Sequence, residues 1–121
     1  MHTILVAEDE EDIRAVIVSI LSKPDYIVLP AASGSEALRL LAEHEIDLLV
    51  TDVAMPDMNG FELAREAKQL YPDLILIYIS GFYTEAQKHA GPRGLMLTKP
   101  FRPSALLLHV TKELDKAAPS S

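Results

Sequence analysis

The chain contains no cysteine. That absence excludes a disulfide framework, a thiolate zinc site and a thiol nucleophile. Long apolar runs are also missing. The longest strong stretch, Leu74 to Ile79, falls far short of the roughly 20 residues that cross a bilayer. Positive charge is scarce: 11 Lys and Arg stand against 18 Asp and Glu, for a net charge of −7. Such a chain offers no basic face to a phosphate backbone, so neither nucleic acid nor a membrane is an expected partner. There is no G-x-G-x-x-G and no Walker pattern, which leaves a nucleotide-binding reading without support. Met1-His2-Thr3 leads straight into a strand-like run with no signal-peptide pattern, so the cytoplasm is the expected compartment. His2, His44, His89 and His109 show no ligand spacing. No internal repeat and no second domain are visible.

What is present is an ordinary globular composition, 49% hydrophobic and 24% charged over 121 residues, enough for one domain with its own core. The acids are unevenly spread. Residues 1–60 hold 12 acids and 3 bases, whereas residues 61–121 hold 6 acids and 8 bases. Acid concentrated in the first half suggests a cation site.

One stretch organises the rest. Asp47-Leu48-Leu49-Val50-Thr51 begins as a short apolar run and stops at Asp52, after which Pro56 and Gly60 force a loop. A carboxylate at the end of a buried strand is costly unless it has a partner or a task. Similar strands are expected at Thr3–Ala7, Tyr26–Leu29, Ile46–Thr51, Leu74–Ile79 and Leu95–Leu97. Between them lie helical patterns. The first has the apolar face Ile13, Val16, Ile17, Ile20 and Leu21, with Asp9 to Asp12 at its positive end. The second opens at Ser33 with Glu36, and the third at Asn59 with Glu62, both with capping-box spacing. A short, weakly patterned helix is expected within 84–90, and a last one from Pro103 with the face Leu106, Leu107, Val110 and Leu114. The expected domain is single, residues 1–121, with a core over 3–116 and a polar tail over 117–121. Five βα repeats of this kind imply a parallel sheet with helices on both faces.

In open α/β sheets, sites form beyond the carboxyl ends of the strands. Those ends are Glu8-Asp9, Asp52, Ser80 and Lys99. Asp9 and Asp52, with Glu8 acting through a water, offer the hard oxygens that Mg²⁺ prefers, and the Ala54 backbone carbonyl can add another. Asp52 can attack phosphorus as a carboxylate nucleophile. Lys99 can neutralise phosphoryl charge, and Ser80 can donate a hydrogen bond to it. The three acids should repel one another in the metal-free fold, with Lys99 offsetting part of that repulsion.

These residues, in this order, resemble the receiver domains of two-component response regulators over residues 3–116. The matching pieces are Glu8-Asp9, Asp52 through Gly60, Ser80-Gly81 and Lys99-Pro100-Phe101. The resemblance implies a flavodoxin-like (βα)5 fold with strand order 2-1-3-4-5. It implies a Mg²⁺-dependent phosphoacceptor, Asp52, served by a histidine kinase or a histidine phosphotransfer protein in a two-component phosphorelay. On that reading the chain is a signalling switch, and its only chemistry is self-directed transfer and autodephosphorylation. Ser80 would be the switch hydroxyl and Lys99 the paired amine, followed by a cis peptide at Pro100; the residues alone merely permit that isomer. The sequence does not name a kinase or an output, and it leaves open both a homodimer and membership of a longer hybrid protein.

Three departures from the family pattern stand out. Met96 occupies the place of the switch aromatic and reads as core filler. The span from Ser80 to Lys99 is short. Ala54 and Phe82, two residues beyond Asp52 and Ser80, have no side-chain group to orient an attacking water. Two other functions compete. A haloacid-dehalogenase-like phosphatase would need an acid two residues past the nucleophile, where Ala54 stands. A pseudo-receiver that only binds proteins would not need the complete set of Asp9, Asp52, Ser80 and Lys99.

Overall fold

A computed structural model describes residues 2–81 and 91–117. In chain order the elements are β1 (Thr3–Ala7), α1 (Glu11–Leu21), β2 (Ile27–Ala31), α2 (Gly34–Glu43), β3 (Leu48–Asp52), α3 (Gly60–Leu70), β4 (Ile75–Ser80), β5 (Leu95–Thr98) and α4 (Pro103–Ala117). The five strands are parallel and lie in the order β2-β1-β3-β4-β5, as expected. The helix expected within 84–90 and the tail beyond Ala117 lie outside the described residues.

The sheet divides the core in two. Side chains alternate across a strand, so Leu5, Ala7 and Leu49 join α2 and α3 on one side, while Ile4, Val6, Leu48 and Val50 join α1 and α4 on the other. The central strands are buried on both faces, which explains why they read as continuous apolar runs. The chain leaves β1 towards β2 on one side and reaches β3 on the other. The crevice beyond Ala7 and Asp52 is therefore the switch point of the sheet.

Several element ends differ from the sequence expectation. β3 includes Asp52, and β4 runs on to Ser80, because the ladder continues: Asp52 pairs with Ile79, and Ser80 pairs with Thr98. β2 starts one residue later than expected and runs through Pro30. That proline is tolerated because β2 is an edge strand, where one side of the backbone needs no partner. Val16, expected on the buried stripe of α1, is 51% exposed. At 3.6 residues per turn it sits about a quarter turn from the centre of Ile17, Ile20 and Leu21. The α3 cap is reciprocal, with Asn59 accepting from the Glu62 N–H and Glu62 from the Asn59 N–H. At α2, Ser33 accepts from the Glu36 N–H, but the Glu36 carboxylate reaches past Ser33 to the N–H of Ala32.

Candidate functional site

The four strand ends deliver their polar residues to one rim. Glu8 and Asp9 follow β1, Asp52 ends β3, Ser80 ends β4 and Lys99 follows β5. An open cleft of about 650 Å³ lies over them, lined by Asp9, Asp52, Ala54, Ser80, Lys99 and, unforeseen from sequence, Glu10. Glu8 is 1% exposed, Ser80 2% and Asp52 6%. Carboxylate oxygens of Glu8, Asp9 and Asp52 lie within 4.8 Å of one another.

Lys99 ties the rim together. Its Nζ donates to Glu8 Oε1 at 3.0 Å and to Asp52 Oδ2 at 3.1 Å. The other Asp52 oxygen accepts from the Ala54 N–H at 3.3 Å. The second oxygen of Glu8 accepts from the Glu10 N–H at 3.1 Å, and Arg14 donates to the Glu8 carbonyl at 3.0 Å. These last two contacts hold the turn into α1. The Lys99–Pro100 peptide bond is cis.

Glu8 is electrostatically unusual. Burial pushes its carboxyl up to about 7, against the pull of the Glu10 N–H and the Lys99 ammonium, and the negative charge of Asp52 adds to the rise. Desolvation thus outweighs the repulsion between acids that the sequence led us to expect as the main effect. For Lys99, burial lowers the pKa, but the hydrogen bonds and charges of Glu8 and Asp52 outweigh it and raise the value overall. Among the described residues, no buried side-chain polar atom lacks a hydrogen-bond partner.

The donor set fits a hard divalent cation. Three carboxyl groups face one ammonium, so the rim carries surplus negative charge, and all its donors are oxygens. Asp52 presents a carboxylate to the cleft with a cation at hydrogen-bond distance, which is the arrangement a carboxylate nucleophile needs if it is to attack a phosphoryl group.

Met96 is half-buried and packs against the core on the α2 and α3 side. Its partner in the β4–β5 register is Tyr78, a buried aromatic whose hydroxyl donates to the Pro92 carbonyl and whose ring lies 4.8 Å from that of Phe61. Sequence reasoning passed over Tyr78 because a tyrosine within an apolar run carries no periodic mark of its own. Phe82 lies outside the described residues.

Comparison with known proteins agrees with this fold. The family profile described as the response regulator receiver domain matches residues 4–111. The chain is 38% identical over 120 residues to the response regulator receiver protein CpdR of Brucella abortus (strain 2308), covering 97% of this chain and 100% of that one. It is also 38% identical over 119 residues to the sensor kinase CckA of the same organism, covering 94% of this chain and 13% of the kinase. A solved CheY-like response regulator receiver domain from Methanospirillum hungatei JF-1 superposes with a TM-score of 0.90 at 28% identity, covering 97% of this chain and 96% of that one. No described helix is long and apolar enough to cross a membrane.

Proposed function

Because the chain belongs to the response regulator receiver domain family, we propose that Asp52 is its phosphoacceptor and takes a phosphoryl group from a histidine kinase or a histidine phosphotransfer protein. The observation that carries this reading is the position of Asp52: last in a central strand, 3.1 Å from the Lys99 ammonium, with Glu8 and Asp9 oxygens within 4.8 Å. In the transfer, an Asp52 carboxylate oxygen bonds to phosphorus as the phosphorus–nitrogen bond of the donor phosphohistidine breaks. The bonding pair returns to the imidazole nitrogen, which takes a proton from solvent. Lys99 would hold charge developing on the phosphoryl oxygens, and Ser80, which lines the same cleft, would donate to one of them. Asp9, Asp52 and the Ala54 carbonyl, with Glu8 through a water, would hold Mg²⁺, which when bound would supply further neutralisation of phosphoryl charge.

The chain acts as a receiver, so its role is to be modified rather than to turn over a separate substrate. Autodephosphorylation should be slow, because neither Ala54 nor Phe82 carries a group to orient water. The same alanine argues against a haloacid-dehalogenase-like phosphatase. We read residues 1–121 as one cytoplasmic receiver domain, compatible both with a stand-alone regulator and with a place in a longer kinase, since relatives of both descriptions match it. The test is incubation with a small phosphodonor and Mg²⁺, followed by intact mass. A gain of one phosphoryl in the parent and none in Asp52→Asn is expected. Phosphate retained by Asp52→Asn would move the acceptor elsewhere, and no gain in the parent would favour a pseudo-receiver.

A further inference from the structure

The loop between Asp52 and α3 is held at two points, and the outer one involves a residue with no assigned role. At its root, Val53 donates to the Ile79 carbonyl at 2.9 Å and Gly60 donates to the Val53 carbonyl at 2.8 Å. Gly60 approaches β3 so closely that a Cβ there would lie 2.4 Å from the Asp52 carbonyl oxygen, which no side chain permits. At its tip, the Asp57 carboxylate reaches across to the first turn of α2. It accepts from the Gly34 N–H at 3.1 Å, the Ser35 N–H at 2.8 Å and the Ser35 hydroxyl at 2.8 Å. The next residue, Met58, packs so tightly on α2 that a Cβ on Gly34 would come within 2.2 Å of its Cγ.

Ala54 lies between the root and the tip of this loop. The anchor on the far side also leads back to the rim, because the chain just before α2 accepts the Glu8 N–H on the Ala31 carbonyl at 3.0 Å. Glu8, the start of α2, Asp57, Ala54 and Asp52 therefore form one closed circuit of covalent and hydrogen-bonded links. α2 does not need Asp57 in order to begin, since Ser33 caps it through the Glu36 N–H. Two of the three donors that Asp57 takes, the Ser35 N–H and hydroxyl, are exposed and would be rehydrated without it, whereas Gly34 is buried. What the contact supplies is the placement of the loop tip.

We propose that Asp57 is a positioning residue for the cation rim: by clamping the loop after β3 to the first turn of α2, it holds the Ala54 carbonyl in register with Asp52 and Glu8. This rests on the reading of that rim as a Mg²⁺ site. The test is calorimetric Mg²⁺ titration of the parent, Asp57→Ala, Asp57→Asn and Ser33→Ala, with hydrogen exchange of each metal-free protein. Ser33→Ala removes the cap of the same helix but leaves the clamp, so it controls for a merely structural role. Asp57→Ala should weaken Mg²⁺ binding about tenfold, the low end for loss of a residue that supports a metal ligand. It should also speed exchange of the amides at 53–58. Asp57→Asn, which keeps one acceptor oxygen, should fall between, and Ser33→Ala should bind like the parent. Parental affinity in Asp57→Ala, or equal weakening in Ser33→Ala, would overturn the proposal while leaving the rim intact. A parent that binds no Mg²⁺ would overturn both the proposal and the metal site.

Discussion

At the amino-terminal edge of the sheet, Asp47 accepts the Thr3 N–H at 2.8 Å and its side chain stays 49% exposed. At the carboxyl-terminal edge, Asp52 is 6% exposed and takes the Lys99 ammonium at 3.1 Å, with Glu8 and Asp9 beside it. The two aspartates stand five residues apart, one just before β3 and the other at its end. Asp47 stitches strand starts together, because its N–H donates to the Thr3 carbonyl and its own carbonyl accepts from Ile75. His2 Nδ1 lies 3.9 Å from its carboxylate, and the rest of the side chain faces solvent. Asp52 is held where water is largely excluded and where like charges are gathered, a costly placement that stability alone does not explain. Parallel strands all end on the same edge, so only one edge can collect this set.

Replacing each aspartate by its amide tests that contrast most directly. Asp52→Asn should abolish phosphorylation by a small donor, because an amide is a poor nucleophile and a poor cation ligand. Intact mass reads the result. The same variant sharpens the energetic side. Without metal, it removes one carboxylate from a crowded rim and should be at least as stable as the parent in denaturant melts. Added Mg²⁺ should stabilise the parent by about 1.4 kcal/mol at tenfold excess over Kd and help Asp52→Asn much less. Equal stabilisation of both proteins would remove Asp52 from the ligand set.

Lys99→Ala should come next. It leaves Glu8 and Asp52 buried without their shared cation. Breaking a buried pair costs about 3–5 kcal/mol, and since the lysine side chain is 20% exposed a loss of roughly 1–3 kcal/mol is expected at neutral pH. Phosphorylation should fall at least about tenfold, as charge facing the phosphoryl group is lost. A fully stable variant would mean that the ammonium is not what makes the buried acids tolerable.

Two carboxyl groups should give opposite pH signatures. Glu8 is raised from 4.5 to about 7, chiefly by burial. Between those values the folded, metal-free protein keeps a proton that the unfolded chain releases, so the Glu8 contribution to stability declines as pH rises through that window and is fully present below it. On the proposed reading a Mg²⁺ ion at the rim would favour the ionised form of Glu8, so its affinity should climb with pH up to about 7 and level off. Asp57 is lowered from 3.8 to about 2 by the Ser35 and Gly34 N–H groups and the Ser35 hydroxyl. Its contribution is present above about 3.8 and is lost as pH falls towards 2. Melts of Glu8→Gln and Asp57→Asn across pH 2–8 should flatten the upper and the lower slope respectively. A parental slope between 4.5 and 7 in Glu8→Gln would assign the effect to another group.

These contrasts show where the sequence was informative. The candidate rim was legible because Glu8-Asp9, Asp52, Ser80 and Lys99 stand as polar stops at or just beyond the ends of strands in a parallel sheet. The caps at Ser33 and Asn59 were legible because they are local, three residues long. The Asp57 clamp was not, since its partners lie 22 and 23 residues away and no periodicity links a loop tip to a helix start. Nor was the main cause of the Glu8 shift. A sequence shows that acids are neighbours, but burial is a property of the packed rim, created partly by a lysine 91 residues along. Tyr78 illustrates the same limit, since its hydroxyl bonds to a carbonyl 14 residues on, across a stretch with little pattern of its own. Tyr78→Phe should cost about 1 kcal/mol in a melt, the usual value of one hydrogen bond with packing preserved.

The smallest effect completes the comparison. Asp47→Asn keeps an acceptor oxygen for the Thr3 N–H and changes a side chain that is already 49% exposed. Its backbone links to Thr3 and Ile75 do not depend on the side chain. The stability change should therefore stay within about 0.5 kcal/mol. Phosphorylation by a small donor and Mg²⁺ affinity should both match the parent, because the charge removed lies at the opposite edge of the sheet and is screened by solvent. The same amide swap, five residues further on, is expected to abolish function. If Asp47→Asn also weakened Mg²⁺ binding severalfold, the rim could not be treated as an independent unit, and the strand starts would have to be counted among the elements that position it.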